Sequence, residues 1–108
     1  MASKLDEMAA SALASVRSVE QGWFQMRLAR GLRVVLERQG ARWRLALGRP
    51  DVAPSAMEVE ICRRAFGVPE GAAELSKVTA HVEPKTQTRV TFRVVELSWV
   101  EDVAPVEA

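Results

Sequence analysis

LRVVLERQGARWRLAL, residues 32–47, decides the fold. Leu32, Val34 and Leu36 fall on even positions, whereas Trp43, Leu45 and Leu47 fall on odd ones. Alternation with a period of two marks a half-buried strand, and a switch of parity marks a turn. A two-residue turn at Gln39–Gly40 reconciles the two runs. It pairs Leu36 with Trp43, Val34 with Leu45 and Leu32 with Leu47, and it sets Glu37 opposite Arg42.

Upstream, Phe24, Met26 and Leu28 continue the even parity. A three-residue loop, Ala29-Arg30-Gly31, pairs Leu28 with Leu32, Met26 with Val34 and Phe24 with Leu36. Gly31 then takes the left-handed position of that loop. A single long strand from Trp23 to Glu37 keeps the same parity, but the meander of three strands is preferred. Before it, Leu5, Met8, Ala9, Ala12, Leu13, Val16 and Val19 recur at helical spacing, predicting a helix over Ser3–Glu20 that ends at Gly22. Ser3 and Asp6 suit its first turn. Ala10, Ser11, Ala14 and Ser18 form a small-residue face on which a second helix could close.

Downstream, Ser55 and Glu58 form a capping box, and Met57, Ile61, Cys62 and Ala65 line one side of a helix. Gly67 and Pro69 stop it. Residues 69–76 read as a loop. Val78, Ala80 and Val82 then alternate as a strand, returning through residues 84–88 to a long final one. Pairing Val82 with Val90 brings Ala80 to Phe92, Val78 to Val94 and Glu83 to Arg89. A parity slip between Val94 and Val95 predicts a bulge. The expected architecture is α+β, in the order α-β-β-β-α-β-β, with the helices on one face of an antiparallel sheet. It forms one domain over residues 1–101, and residues 102–108 form a frayed tail.

The chain of 108 residues has a formal net charge of only +1, unevenly spread. Residues 23–49 hold seven arginines against Glu37, whereas residues 51–108 hold ten acids against six bases. Arginine outnumbers lysine twelve to three, a bias that the coding habit of a GC-rich genome would produce by itself. The meander's alternation nevertheless collects Arg27, Arg33, Arg42 and Arg44 on the face away from the core. Arg30, Arg38 and Arg49 stand at the turns around it, and Trp23 at its margin. Arginine forks bind phosphate bidentately and read guanine in a major groove that admits a β-ribbon. Arg27, Arg33, Arg42 and Arg44 as the phosphate contacts, with Arg30, Arg38 and Trp23 beside them, are the candidate nucleic-acid site. The competing expectation is a protein partner or a homodimer, with the basic face meeting acids such as Glu96, Glu101 and Asp102.

The inventory for catalysis is thin: one histidine, one cysteine and no tyrosine. His81 and Glu83 share a strand face and could orient a base, but a lone surface histidine is far commoner. Cys62 suits a small core position. There is no set of metal ligands, no phosphate-binding glycine loop and no nucleophile elbow. A binding domain without cofactor is therefore expected rather than an enzyme. A single cysteine, the acids Asp6 and Glu7 near the start, and no apolar run approaching roughly 18 residues point to a cytoplasmic protein with no membrane association.

Helix–three strands–helix is the element order of double-stranded RNA-binding domains. However, residues 54–60 open the second helix with Glu58 and Glu60, where that family places lysines. Three strands and a helix with a basic uncovered face, over residues 23–66, is similar to the arm-binding domains of phage-type integrases. That similarity implies DNA contact through Arg33, Arg42 and Arg44. It is topological, carries no motif, and the last two strands depart from it.

Overall fold

A computed structural model describes residues 4–101. The expected cap Ser3 and the expected tail at 102–108 lie outside the described residues. Helix α1 (Lys4–Arg17) leads into β1 (Gln21–Arg27), β2 (Arg33–Gln39) and β3 (Arg42–Pro50). Helix α2 (Ala56–Ala65) then crosses to β4 (Ala73–Val82) and β5 (Arg89–Val100). All five strands are antiparallel, in the spatial order β1-β2-β3-β5-β4. The class and element order are those read from the alternation. β5, the last to be made, inserts between β3 and β4.

Both helices lie on one face of the sheet. Ala9, Ala12 and Val16 of α1 and Val59 and Cys62 of α2 are buried against Val34, Leu36, Leu45, Leu47 and Leu97. Alanine at the contact positions lets α1 settle close over β1 and β2. Asp6 and Glu7 in its first turn and Arg17 in its last suit the helix dipole. The helix stops at Arg17, so Val19 is exposed and Gly22 belongs to β1 instead of ending the helix.

The β1–β2 register is the expected one, with Phe24 opposite Leu36 and Met26 opposite Val34. Residues 29–31 make a tight 3-10 turn with Arg30 and Gly31 both at positive φ, 61° and 70°. The β2–β3 register differs by two residues. Leu36 faces Leu45, Val34 faces Leu47, and Glu37 faces Arg44, because the turn is Gly40–Ala41. Gly40, at φ 60°, supplies the left-handed conformation that a tight hairpin needs. A two-residue slip preserves parity, so every side chain keeps its predicted face. Gly40→Ala is expected to lower stability by about 1 kcal/mol, read as a drop in urea midpoint at constant slope.

The capping box of α2 forms as expected, Ser55 Oγ accepting from the Glu58 N–H at 3.1 Å and Glu58 accepting from the Ser55 N–H at 2.9 Å. At the other end, the Gly67 N–H donates to Arg64 O and the Val68 N–H to Arg63 O, a Schellman closure. The buried side is Val59, Cys62 and Phe66, while Met57 and Ile61 are exposed. The predicted stripe was therefore rotated on the helix.

The C-terminal hairpin departs furthest from expectation. β4 begins at Ala73, within the predicted loop, and pairs Val82 with Arg89, Ala80 with Thr91 and Val78 with Arg93. That one-residue shift follows from the turn, where Gln87 adopts φ 57° and Glu83 and Thr88 close the ladder. β5 carries no bulge and runs in continuous register with both neighbours. Val95 and Leu97 point into the core, while Phe92 and Val94 point to the opposite face. Val94 and Val95 are consecutive apolar residues because this strand has two apolar faces.

Candidate functional site

The face of the sheet away from the helices is built from rows of side chains across paired strands. One row runs Trp23, Glu37, Arg44, Ser98 and Ala73; the next runs Gln25, Val35, Ala46, Glu96 and Leu75; a third runs Arg27, Arg33, Gly48, Val94 and Lys77. Arg27, Arg33, Arg42, Arg44 and Trp23 all reach the predicted face, and Trp23 is 66% exposed. They do not form one basic patch.

Arg44 is clasped by two carboxylates. Its Nη2 donates to Glu37 Oε2 at 2.5 Å and its Nη1 to Glu96 Oε2 at 3.2 Å. Glu96 also accepts an ion pair from Lys77 Nζ at 2.8 Å. Burial alone would lower the Arg44 pKa, but the hydrogen bond and charge of Glu37, aided by Glu96, outweigh it and raise the value. For Glu96, burial pushes upward, yet the Lys77 hydrogen bond and the Arg44 charge hold the carboxyl below its ordinary value. Arg33 lies with its guanidinium 4.9 Å from the Phe92 ring centroid. Arg27 stands directly opposite Arg33 and, like Arg42, makes no ion pair among the described residues. Arg42 lies six residues along β3 from the Arg27–Arg33 row, about 20 Å away.

Arg38 is not on this face. Paired with Trp43 across the hairpin, it turns to the helix side. There its Nη1 donates to Arg17 O at 3.0 Å, its Nε donates to Gly40 O at 2.8 Å, and its guanidinium covers Trp43 at 5.3 Å. It thereby satisfies a carbonyl at the end of α1 and is a structural arginine. Arg30 sits in the β1–β2 turn, where its carbonyl accepts from Arg49 Nε at 2.9 Å. Arg49 is also structural, clamping both oxygens of Glu58.

Between the charged rows lies a feature that alternation in the meander alone could not reveal, a shallow groove of about 280 Å³. Its floor is Val35, Ala46, Gly48 and Val94, and Phe92 and Arg33 flank it. Gly48 matters because a Cβ there would meet Val94 Cγ2 at 3.2 Å, so its absence lets the floor close. Thr79 and His81 form the far rim. The sequence signal for this groove is the unbroken apolar pair Val94-Val95, which alternation alone reads as a bulge and the continuous register of β5 shows to be two apolar faces.

Cys62 is buried, and burial, reinforced by the charge of Glu58, pushes its thiol up to about 11. It is held as a neutral thiol at neutral pH and packs as a small apolar residue. His81 is exposed and makes no hydrogen bond to Glu83. Among the described residues, no three His, Cys, Asp or Glu side chains converge as a metal site would require, and no helix is long and apolar enough to cross a membrane.

In comparisons with protein-family models, curated proteins and solved structures, the chain matches none of them.

Proposed function

We propose that the protein is a non-enzymatic binding domain that takes a segment of another protein into the groove of its open sheet face. The observation that carries this reading is the distribution of charge. The central arginine, Arg44, is neutralised by Glu37 and Glu96, whereas the floor beside it is left apolar and open. Affinity for a phosphate backbone grows with the number of phosphates that free cations neutralise, and Arg44 is already paired. An apolar side chain of a partner would cover Val35, Ala46 and Val94, and a neighbouring carboxylate would meet Arg33 and Arg27. The like-charged pair across β1 and β2 costs free energy until an anion relieves it.

That same unrelieved pair favours a second reading, contact with a nucleic-acid backbone through Arg27, Arg33 and Arg30. The two are separated by one set of experiments. Panning a displayed peptide library should enrich sequences with an apolar residue beside Asp or Glu. Binding of such a peptide should weaken at least about tenfold in Val35→Lys, with the circular dichroism spectrum unchanged. No enrichment, or equal binding to Val35→Lys, would sink the protein-partner reading. Anisotropy with labelled duplex from about 50 to about 300 mM salt then decides the second: a log–log slope near −3 or steeper means several phosphates are neutralised at once.

A further inference from the structure

The fold leaves the outer edge of β4 unpaired over ten residues. The alternation of its backbone is set by the Glu83 N–H, which donates to Thr88 O at 2.9 Å. Counting back from that hydrogen-bonded pair, odd residues of β4 direct their N–H and C=O toward β5. The even ones, Glu74, Ser76, Val78, Ala80 and Val82, direct theirs outward. Long, regular edges of this kind are normally blunted by proline, a bulge or an outward charge. β4 has neither proline nor bulge. Its central charge, Lys77, is drawn back over the sheet by Glu96 at 2.8 Å. Meanwhile Leu75, Val78 and Val82 are 57%, 59% and 51% exposed.

We propose that β4 pairs antiparallel with β4 of a second copy about a two-fold axis through Val78, joining two sheets into one of ten strands. The register follows from the edge itself. A two-fold axis normal to the sheet keeps the helix-covered faces on the same side, so it must pass through a residue and pair even positions with even. Centred on Val78, it sets Val78 against Val78, Ser76 against Ala80 and Glu74 against Val82. Every outward N–H and C=O of β4 then finds a partner. Centring on Lys77 would oppose two ammonium groups, and centring on Thr79 would set Lys77 against His81 and Glu74 against Pro84, which has no N–H. In the Val78 register, Glu74 of one copy flanks Val82 of the other, whose β5 neighbour is Arg89. Opposite charges thus reach toward each other across Val82. Both grooves open on the same side of the joined sheet.

Directly opposed hydrogen-bonded residues have Cα atoms about 5.5 Å apart, within the reach of a disulfide. Val78→Cys should therefore cross-link two copies under mild oxidation. Val82→Cys should not, because its two copies would lie eight residues apart along the ladder. Cys62, buried, does not compete. Light scattering should give a wild-type mass twice that of the chain. Val78→Pro, which removes only an outward N–H, should give the single-chain mass with a melting temperature within a few degrees of that of the separated wild-type chain. A wild-type protein that stays monomeric at about 1 mM overturns the proposal. So does a dimer that survives Val78→Pro, or one that cross-links as readily through position 82 as through 78.

Discussion

Trp43→Ala is expected to destabilise the protein by about 4 kcal/mol, enough to lower the melting temperature by roughly 15–25 °C in a domain of this size. Trp43 is 3% exposed and stacks on Trp99, with ring centroids 6.1 Å apart and planes inclined by 11°. Its Nε1 donates to Glu101 at 3.1 Å, and Arg17 and Arg38 both lie over its ring. One side chain therefore ties the end of α1 to β3 and β5. Truncation leaves a cavity and removes both cation–π contacts. It also leaves the Arg38 guanidinium without the ring beneath it. Trp43→Phe keeps the stack and most of the volume and should cost only about 1–2 kcal/mol. Calorimetry on the two variants checks the pair; equal effects would mean that the hydrogen bond to Glu101, and not packing, dominates.

The second large effect belongs to Arg49. Its side chain is 11% exposed, and it joins three pieces of chain: β3, the β1–β2 turn through Arg30 O, and the N-terminus of α2 through Glu58. The hydrogen bond from Arg49, helped by the Ser55 N–H, lowers the Glu58 pKa to about 2 from an ordinary 4.5. A carboxyl depressed in the folded state contributes stability that is present above pH 4.5 and is lost as the pH falls toward 2. Arg49→Ala should cost about 2–3 kcal/mol at pH 7, since Glu58 keeps its capping contacts but loses its counter-charge. The deficit relative to wild type should shrink progressively between about pH 5 and pH 2, as Glu58 takes up a proton in both proteins. A difference independent of pH would mean that Arg49 acts only through its contact with Arg30 O.

How much of this was legible depended on whether a side chain's role is set by parity or by what lies opposite. Residues 32–47 disclosed their core face because two-residue slips leave faces unchanged; the turn position was missed, and with it the Glu37–Arg44 pair. Neutralisation of Arg44 was invisible for a further reason: Glu96 arrives from a strand fifty residues away. Arg38 is followed two residues later by a turn, and the same parity that collected the other arginines outside puts it inside. In the C-terminal hairpin, Val78, Ala80 and Val82 alternate as core residues would. The helices do not extend over β4, however, and an identical pattern there serves an edge. The groove belongs to the same blind spot, since it exists only once Val94 and Val35 are known to share a face.

The insertion of β5 between β3 and β4 also has a kinetic side. β3, residues 42–50, pairs with residues 92–100, so its outer edge waits while about fifty more residues are synthesised. At typical elongation rates of about 5–20 residues per second, that wait is roughly 3–10 s. During it the nascent chain presents a finished meander with an open edge, while β4, made before β5, is free to dock in the wrong place. Native assembly then requires β4 to remain outside until β5 has zipped onto β3. Such long-range closure is slow to nucleate, and the interval is when a newborn chain is most exposed to pairing with its neighbours.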